Sequence, residues 1–170
     1  MSILSDLLNR VKSIESGLQS GSLVRDVLVG RGNQILDLQK KQLFEGKASS
    51  GEDIRPFYSE DLKPDGYFYT VESAGRYAAW KQSLNYPYQA NRNPDAPNLY
   101  IVGKFHSELG VDFGVDAVGI VPTTIFASGI MAKYGMNTFG LMMSNWLAIF
   151  VDDGAYNDLM NEIKSVLYVN

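Results

Sequence analysis

The chemistry open to this chain is bounded by a single histidine, no cysteine and a scatter of carboxylates. His106 lies in the run GKFHSE beside Ser107 and Glu108, three residue types that can supply a base, a nucleophile and an orienting acid. Consecutive residues on a strand project to opposite faces, so neighbours in sequence do not make a triad, and a structural or surface histidine is expected. Asp112 with Asp116, and Asp152 with Asp153, offer the paired carboxylates that glycoside hydrolysis requires. Neither pair stands in a loop with the spaced oxygen ligands and central glycine of an EF-hand. Gly30 and Gly32 begin a dinucleotide fingerprint, but position 35 is Ile where the third glycine belongs, and no strand is expected before them. The chain has neither a GxxxxGK phosphate loop followed by Ser or Thr nor a GxSxG nucleophile elbow. The lack of cysteine removes disulfides, thiolate zinc sites and Cys nucleophiles, and one histidine removes multi-His metal sites. No catalytic, cofactor-binding or metal-binding residue is therefore assigned, and the expectation is a protein that is not an enzyme.

The elements that would position these groups are read from periodicity. Leu4, Leu7, Leu8, Val11, Ile14 and Leu18 keep the three-and-four spacing of one helical face. After Gly17 and Ser20–Ser22 the period restarts at Val24, Val27, Leu28, Ile35 and Leu38 and closes at Gly46, with a kink or break expected where Gly30 and Gly32 stand. Residues 47–66 hold little periodicity. Tyr67, Phe68, Tyr69 and Val71 are β-prone and lead into a short helix over 72–84 that carries Tyr77 and Trp80 on one side. Pro87, Pro94 and Pro97 with four asparagines make 85–98 a long surface loop. Leu99–Val102 is a strand candidate, and Val111–Val121 reads as one arm of a hairpin that ends near Pro122. Ser128–Tyr134 is a short helix stopped by Gly135. Ser144 caps the apolar run Trp146–Val151, and Asp153 caps a final helix that buries Leu159, Ile163, Val166 and Leu167.

The 170 residues fit one domain over 1–170: a helical part over 1–46, a loop-rich arm region with one helix over 47–98, and a sheet with a C-terminal helix over 99–170. The fold class expected is α+β, with helices at both ends around a small, mainly antiparallel sheet. No stretch approaches the apolar length of a membrane span, and MSILSDLLNRVKSIES lacks the basic n-region of a secretory signal. A soluble protein made in the cytoplasm is expected. A net charge of −4 disfavours sequence-specific binding of nucleic acid. Charge is uneven, for residues 105–170 carry only Lys133 and Lys164 against seven carboxylates. An acidic surface of this kind repels a polyanion and lets DNA pass without sticking.

Four segments carry more specific information. ILDLQKKQLFEGKASSGEDI (35–54) followed by PFYS (56–59), then PNLYIVGKFHSEL (97–109) and KYGMNTFGL (133–141), resemble in order and spacing the small structural proteins of Bacteroidetes-infecting tailed phages, including crAss-like phages. The resemblance covers about residues 35–168, and the element order is more distantly similar to head–tail connector and tail-completion proteins. It implies a virion protein made in the host cytoplasm that forms a homo-oligomeric ring of about twelve subunits in the neck between portal and tail, touching portal and neighbouring neck or tail proteins and conducting DNA non-specifically. Around the KYG and FGL segments Met136, Met142, Met143 and Trp146 replace more polar residues, which points to a greasier subunit interface. The candidate interface residues are Tyr134, Phe139, Met142, Met143 and Trp146, and the candidate channel lining is Asp112, Asp116, Asp152 and Asp153. The loops over 47–66 and 85–98 are the candidate arms. Another minor tail or capsid-associated protein is the alternative, and a cell-wall glycoside hydrolase a more distant one.

Overall fold

The apolar stripe at the N-terminus forms helix α1 (Ile3–Gln19), and after Gly21 at φ 74° the chain enters α2 (Ser22–Val29). The long helix expected to reach Gly46 is broken where the glycines stand. It ends at Val29, and α3 (Gly32–Phe44) restarts the period. The computed structural model describes residues 3–85, 92–100, 103–114, 118–123 and 127–168. They fall into two units: Met1–Ile35, Val111–Gly119 and Ser144–Asn170 form the first, and Leu36–Gly110 with Ile120–Met143 the second.

In the first unit α1, α2 and the last helix, α8 (Ala155–Leu167), pack on one another. Gly17 allows the close approach of α1 and α2, because a Cβ there would lie 2.9 Å from Leu23 Cγ. Arg10 Nη1 donates to the Leu167 carbonyl at 3.2 Å and so satisfies one of the free carbonyls at the end of α8. Leu28, Ile35, Ile149 and Ala155 are buried here. Two capping expectations are corrected. Ser144 lies inside α7 (Met143–Leu147), which runs straight into the π-helical turn Ala148–Asp152. Asp153 does not cap α8: Gly154 at φ 77° is the N-cap, and the Asp153 carboxylate instead accepts a hydrogen bond from Gln34. The apolar face Leu159, Ile163, Val166 and Leu167 is only half-buried.

The second unit is built on the C-terminal part of α3, with α4 (Val71–Ser83), α5 (Lys104–Ser107), α6 (Ala127–Tyr134) and the 3-10 turn Met136–Thr138. Thr70 caps α4 through a reciprocal pair of hydrogen bonds with Ser73. The chain is α+β, and among the described residues its sheet is a two-stranded antiparallel one, β1 (Leu109–Phe113) paired with β2 (Val118–Pro122). The stretch Val111–Val121, expected to be one arm of a hairpin, thus contains parts of both. The strand expected at Leu99–Val102 is not formed at Leu99 and Tyr100, and Ile101 and Val102 lie outside the described residues. Leu99 has φ 52°, a left-handed conformation no strand uses, and it packs irregularly on the core.

Neither expected arm is free along its described length. Residues 47–66 are irregular, but Ala48, Ile54 and Tyr58 are buried, and the backbone closes on itself through Ile54 N to Gly46 O (2.7 Å) and Ala48 N to Glu52 O (2.8 Å). Of the loop at 85–98, residues 86–91 lie outside the described residues. Its C-terminal part is pinned: Tyr58 N donates to Asp95 O at 3.0 Å, Ser59 N to Asp95 Oδ1 at 3.0 Å, and Ala96 and Asn98 are buried. The physical reason is that these breaker-rich segments carry apolar and Asx side chains that the second unit needs for its core and turns.

Candidate functional site

Helix α1 carries an apolar stripe that the described residues leave exposed over much of its surface. Ile3, Leu4, Leu7, Leu8, Val11 and Leu18 are all exposed, Ile3 at 90% and Leu4 at 76%, and no residue of the helix is buried. The helical repeat explains this. Arg10, Ile14 and Gly17 turn towards the neighbouring helices, while the centre of the stripe lies a quarter turn or more away. A surface helix normally buries such a face, each leucine or valine gaining roughly 1.5–3 kcal/mol on full burial. The same unit holds an apolar groove of about 350 Å³, lined by Val24, Leu28, Val118, Trp146 and Phe150 together with Gly21 and Arg25. The Trp146 and Phe150 rings lie 6.3 Å apart across one helical turn.

The candidate interface residues are divided between the two units. Trp146 lines the groove, and Met143, one turn before it, is 72% exposed. Met142 is half-buried, and its backbone N–H donates to Gln42 Oε1 at 2.8 Å. Tyr134 and Phe139 are half-buried in the second unit and pack against the buried cluster Leu43, Ala48, Ile54 and Leu109. Of the candidate lining acids, Asp112, Asp152 and Asp153 are exposed and Asp116 lies outside the described residues. No group of three or more carboxylates and histidines that could hold a metal ion is found among the described residues. No helix among them is long and apolar enough to cross a membrane.

His106 stands on α5, not on a strand, and is 5% exposed. Its ring sits among Phe44, Tyr100 and Phe105 at centroid distances of 5.7, 5.3 and 5.9 Å, and neither ring nitrogen has a hydrogen-bond partner among the described residues. Burial, helped by Lys81 and Lys40, lowers its pKa to about 4, so the imidazole is neutral at pH 7. Lys81, 1% exposed, donates to the Tyr100 carbonyl, and burial with the nearby Arg92 lowers its pKa to about 7.

Sequence reasoning missed an aromatic pocket in the second unit. Tyr58, Tyr67, Phe68, Tyr77, Trp80 and Tyr134 line a cavity of about 360 Å³ that also receives Asp61 and Lys133. Asp61 is 7% exposed and forms an ion pair with Lys133. Gly66 shapes the loop that delivers Asp61 and Tyr67, since a Cβ there would meet the Asp61 carbonyl carbon at 2.1 Å. The signal present in the sequence was the dense run of tyrosines at 67, 69 and 77 with Trp80, read as strand and helix-face residues. No protein-family model, curated protein or solved structure matches the chain.

Proposed function

We propose that the chain is a structural virion subunit that forms a ring in the phage neck between portal and tail and conducts DNA without catalysis. The observation that carries this reading is the uncovered apolar stripe of α1. In a ring the stripe of one copy seats in the apolar groove at Trp146 and Phe150 of the next. The stripe residues of α1 do not line that groove, so stripe and groove are two different patches of one copy. Two different patches that fit each other make a heterologous contact, the kind that closes into a ring when the rotation between copies allows it. The resemblance of residues 35–168 to phage structural proteins supports the location, and the exposed Asp112, Asp152 and Asp153 suit a surface past which DNA slides.

Light scattering across concentration, followed by negative-stain imaging of the largest species, tests the reading. Closed rings are expected from the wild type, alone or on added portal protein. The double variant Leu4→Glu/Leu8→Glu changes only exposed positions, so it keeps its helical content and runs as an 18.9 kDa monomer. A wild type that stays monomeric at every concentration and does not co-sediment with portal protein overturns the ring. Co-sedimentation with a tail or capsid protein instead moves the chain to a minor virion component.

A further inference from the structure

The aromatic pocket of the second unit is built for a ligand that is apolar on one face and hydroxylated on its edge, and we propose that it binds a neutral carbohydrate. Three observations converge. The lining is almost wholly aromatic, with the outermost rings at the rim: Tyr67 is 69% exposed and Trp80 44% exposed. Flat, exposed tyrosine and tryptophan rings offer a sugar's C–H face a stacking surface and keep polar tips for hydrogen bonds. The inner rings hold them in place: Tyr77 lies 5.4 Å from Trp80 and 5.3 Å from Phe68, and Tyr67 meets Phe68 edge-on at 5.1 Å.

The charged part of the pocket is one ion pair. Asp61 is deeply buried, whereas Lys133 is about a third exposed at the side-chain level, so the pair faces the cavity. It presents an acceptor and a donor side by side with no net charge, the arrangement that two adjacent hydroxyls satisfy together. An incoming cation would first have to displace Lys133 from Asp61 and leave that ammonium without its partner, and an anion would have to displace Asp61. The pair thus selects against ions and for a neutral polyol. The Tyr134 hydroxyl, whose pKa is raised to about 12 by burial and by Asp61, stays protonated and adds a donor. A volume of about 360 Å³ is in the range of small-molecule sites.

Calorimetric titration of the full chain with the methyl pyranosides of glucose, galactose, mannose and N-acetylglucosamine tests the site, with choline chloride as the competing chemistry. At least one pyranoside is expected to bind saturably, with an affinity that is unchanged between low and high salt. Trp80→Ala and Tyr67→Ala alter rim positions, so they keep the wild-type melting curve, and each weakens that sugar tenfold or more. Lys133→Met weakens it as well. Choline binding more tightly than every pyranoside overturns the proposal in favour of a cation cage. Absence of saturable binding of any pyranoside below about 10 mM also overturns it, as does binding that both rim variants retain. None of these outcomes depends on ring formation, so this site and the assembly reading stand or fall separately.

Discussion

Gln42→Ala is expected to cost about 4 kcal/mol of stability, a fall in melting temperature on the order of 10 °C for a chain of this size, and to do so without touching the exposed surface. Gln42 is 1% exposed on α3, yet its amide works as a piece of strand. Its Nε2 donates to the Gly140 carbonyl at 2.8 Å, and its Oε1 accepts from Met142 N at 2.8 Å. Removing it leaves a backbone donor and a backbone acceptor without partners, at roughly 1–3 kcal/mol each, and opens a cavity against a close-packed helix. Gln39, one turn earlier and fully buried, makes the same pair of bonds less well. Gly140 N reaches its Oε1 at 3.0 Å, but its Nε2 is 3.4 Å from the Thr138 carbonyl. Gln39→Ala is therefore expected to cost about half as much. Thermal melts of the two variants check the order; equal losses, or a Gln42→Ala protein as stable as wild type, would show that the 138–142 backbone is held by other contacts.

These two glutamines also explain what the sequence motifs encode. ILDLQKKQLFEGK supplies Gln39 and Gln42, and KYGMNTFGL supplies the backbone they bind, with Ser49 N donating to Asn137 O at 2.8 Å as a further tie. PNLYIVGKFHSEL adds Leu99, Phe105 and Leu109 to the cluster around Leu43 and Ile54. Three of the segments that carry the resemblance are thus pieces of one core. That is why Tyr134 and Phe139, singled out as interface residues, pack half-buried against this core. A motif says that a residue type is needed at a position; it does not say whether the need is packing or contact.

Legibility followed the range of the interactions. Helices α1, α4 and α8 were readable because each is set by its own repeat and by a breaker beside it. The break at Gly30–Gly32 was readable for the same local reason. The pinning of 93–98 by Tyr58 and Ser59 was not, because it depends on Asp95 meeting residues 36 and 37 positions earlier. The aromatic pocket was hidden for a similar reason: its walls come from 58–68, from α4 and from α6, and only the fold of the second unit brings them to one place. The stripe on α1 was fully legible as an amphipathic face, but its exposure was not, since periodicity tells which side is apolar and not whether anything covers it.

His106→Phe is expected to stabilise the protein most at acid pH and to remove one limb of its pH profile. The sign follows from the two states. In the unfolded chain His106 titrates near 6.5, and in the fold near 4. Between those values the unfolded state binds the extra proton, so stability is complete above about pH 6.5 and falls as pH drops towards 4. At 1.36 kcal/mol per unit the loss reaches about 3 kcal/mol. Lys81 tilts the profile the same way at higher pH. Its folded pKa near 7 lies below the unfolded 10.5, so stability rises with pH through that window as the cost of burying the ammonium disappears. Phenylalanine at 106 keeps the ring contacts with Phe44, Tyr100 and Phe105 and introduces no buried polar atom, so the variant gains at every pH and gains most below pH 5. Lys81→Met makes a separate prediction about the same socket: with the neighbouring cation gone, the His106 pKa moves up from about 4 towards its ordinary value, as read by NMR titration of the imidazole protons. Denaturant melts at pH 7 and pH 5 decide the first point. A wild type and a His106→Phe variant that lose equal stability between these two pH values would mean that the imidazole reaches water and that the aromatic socket does not isolate it.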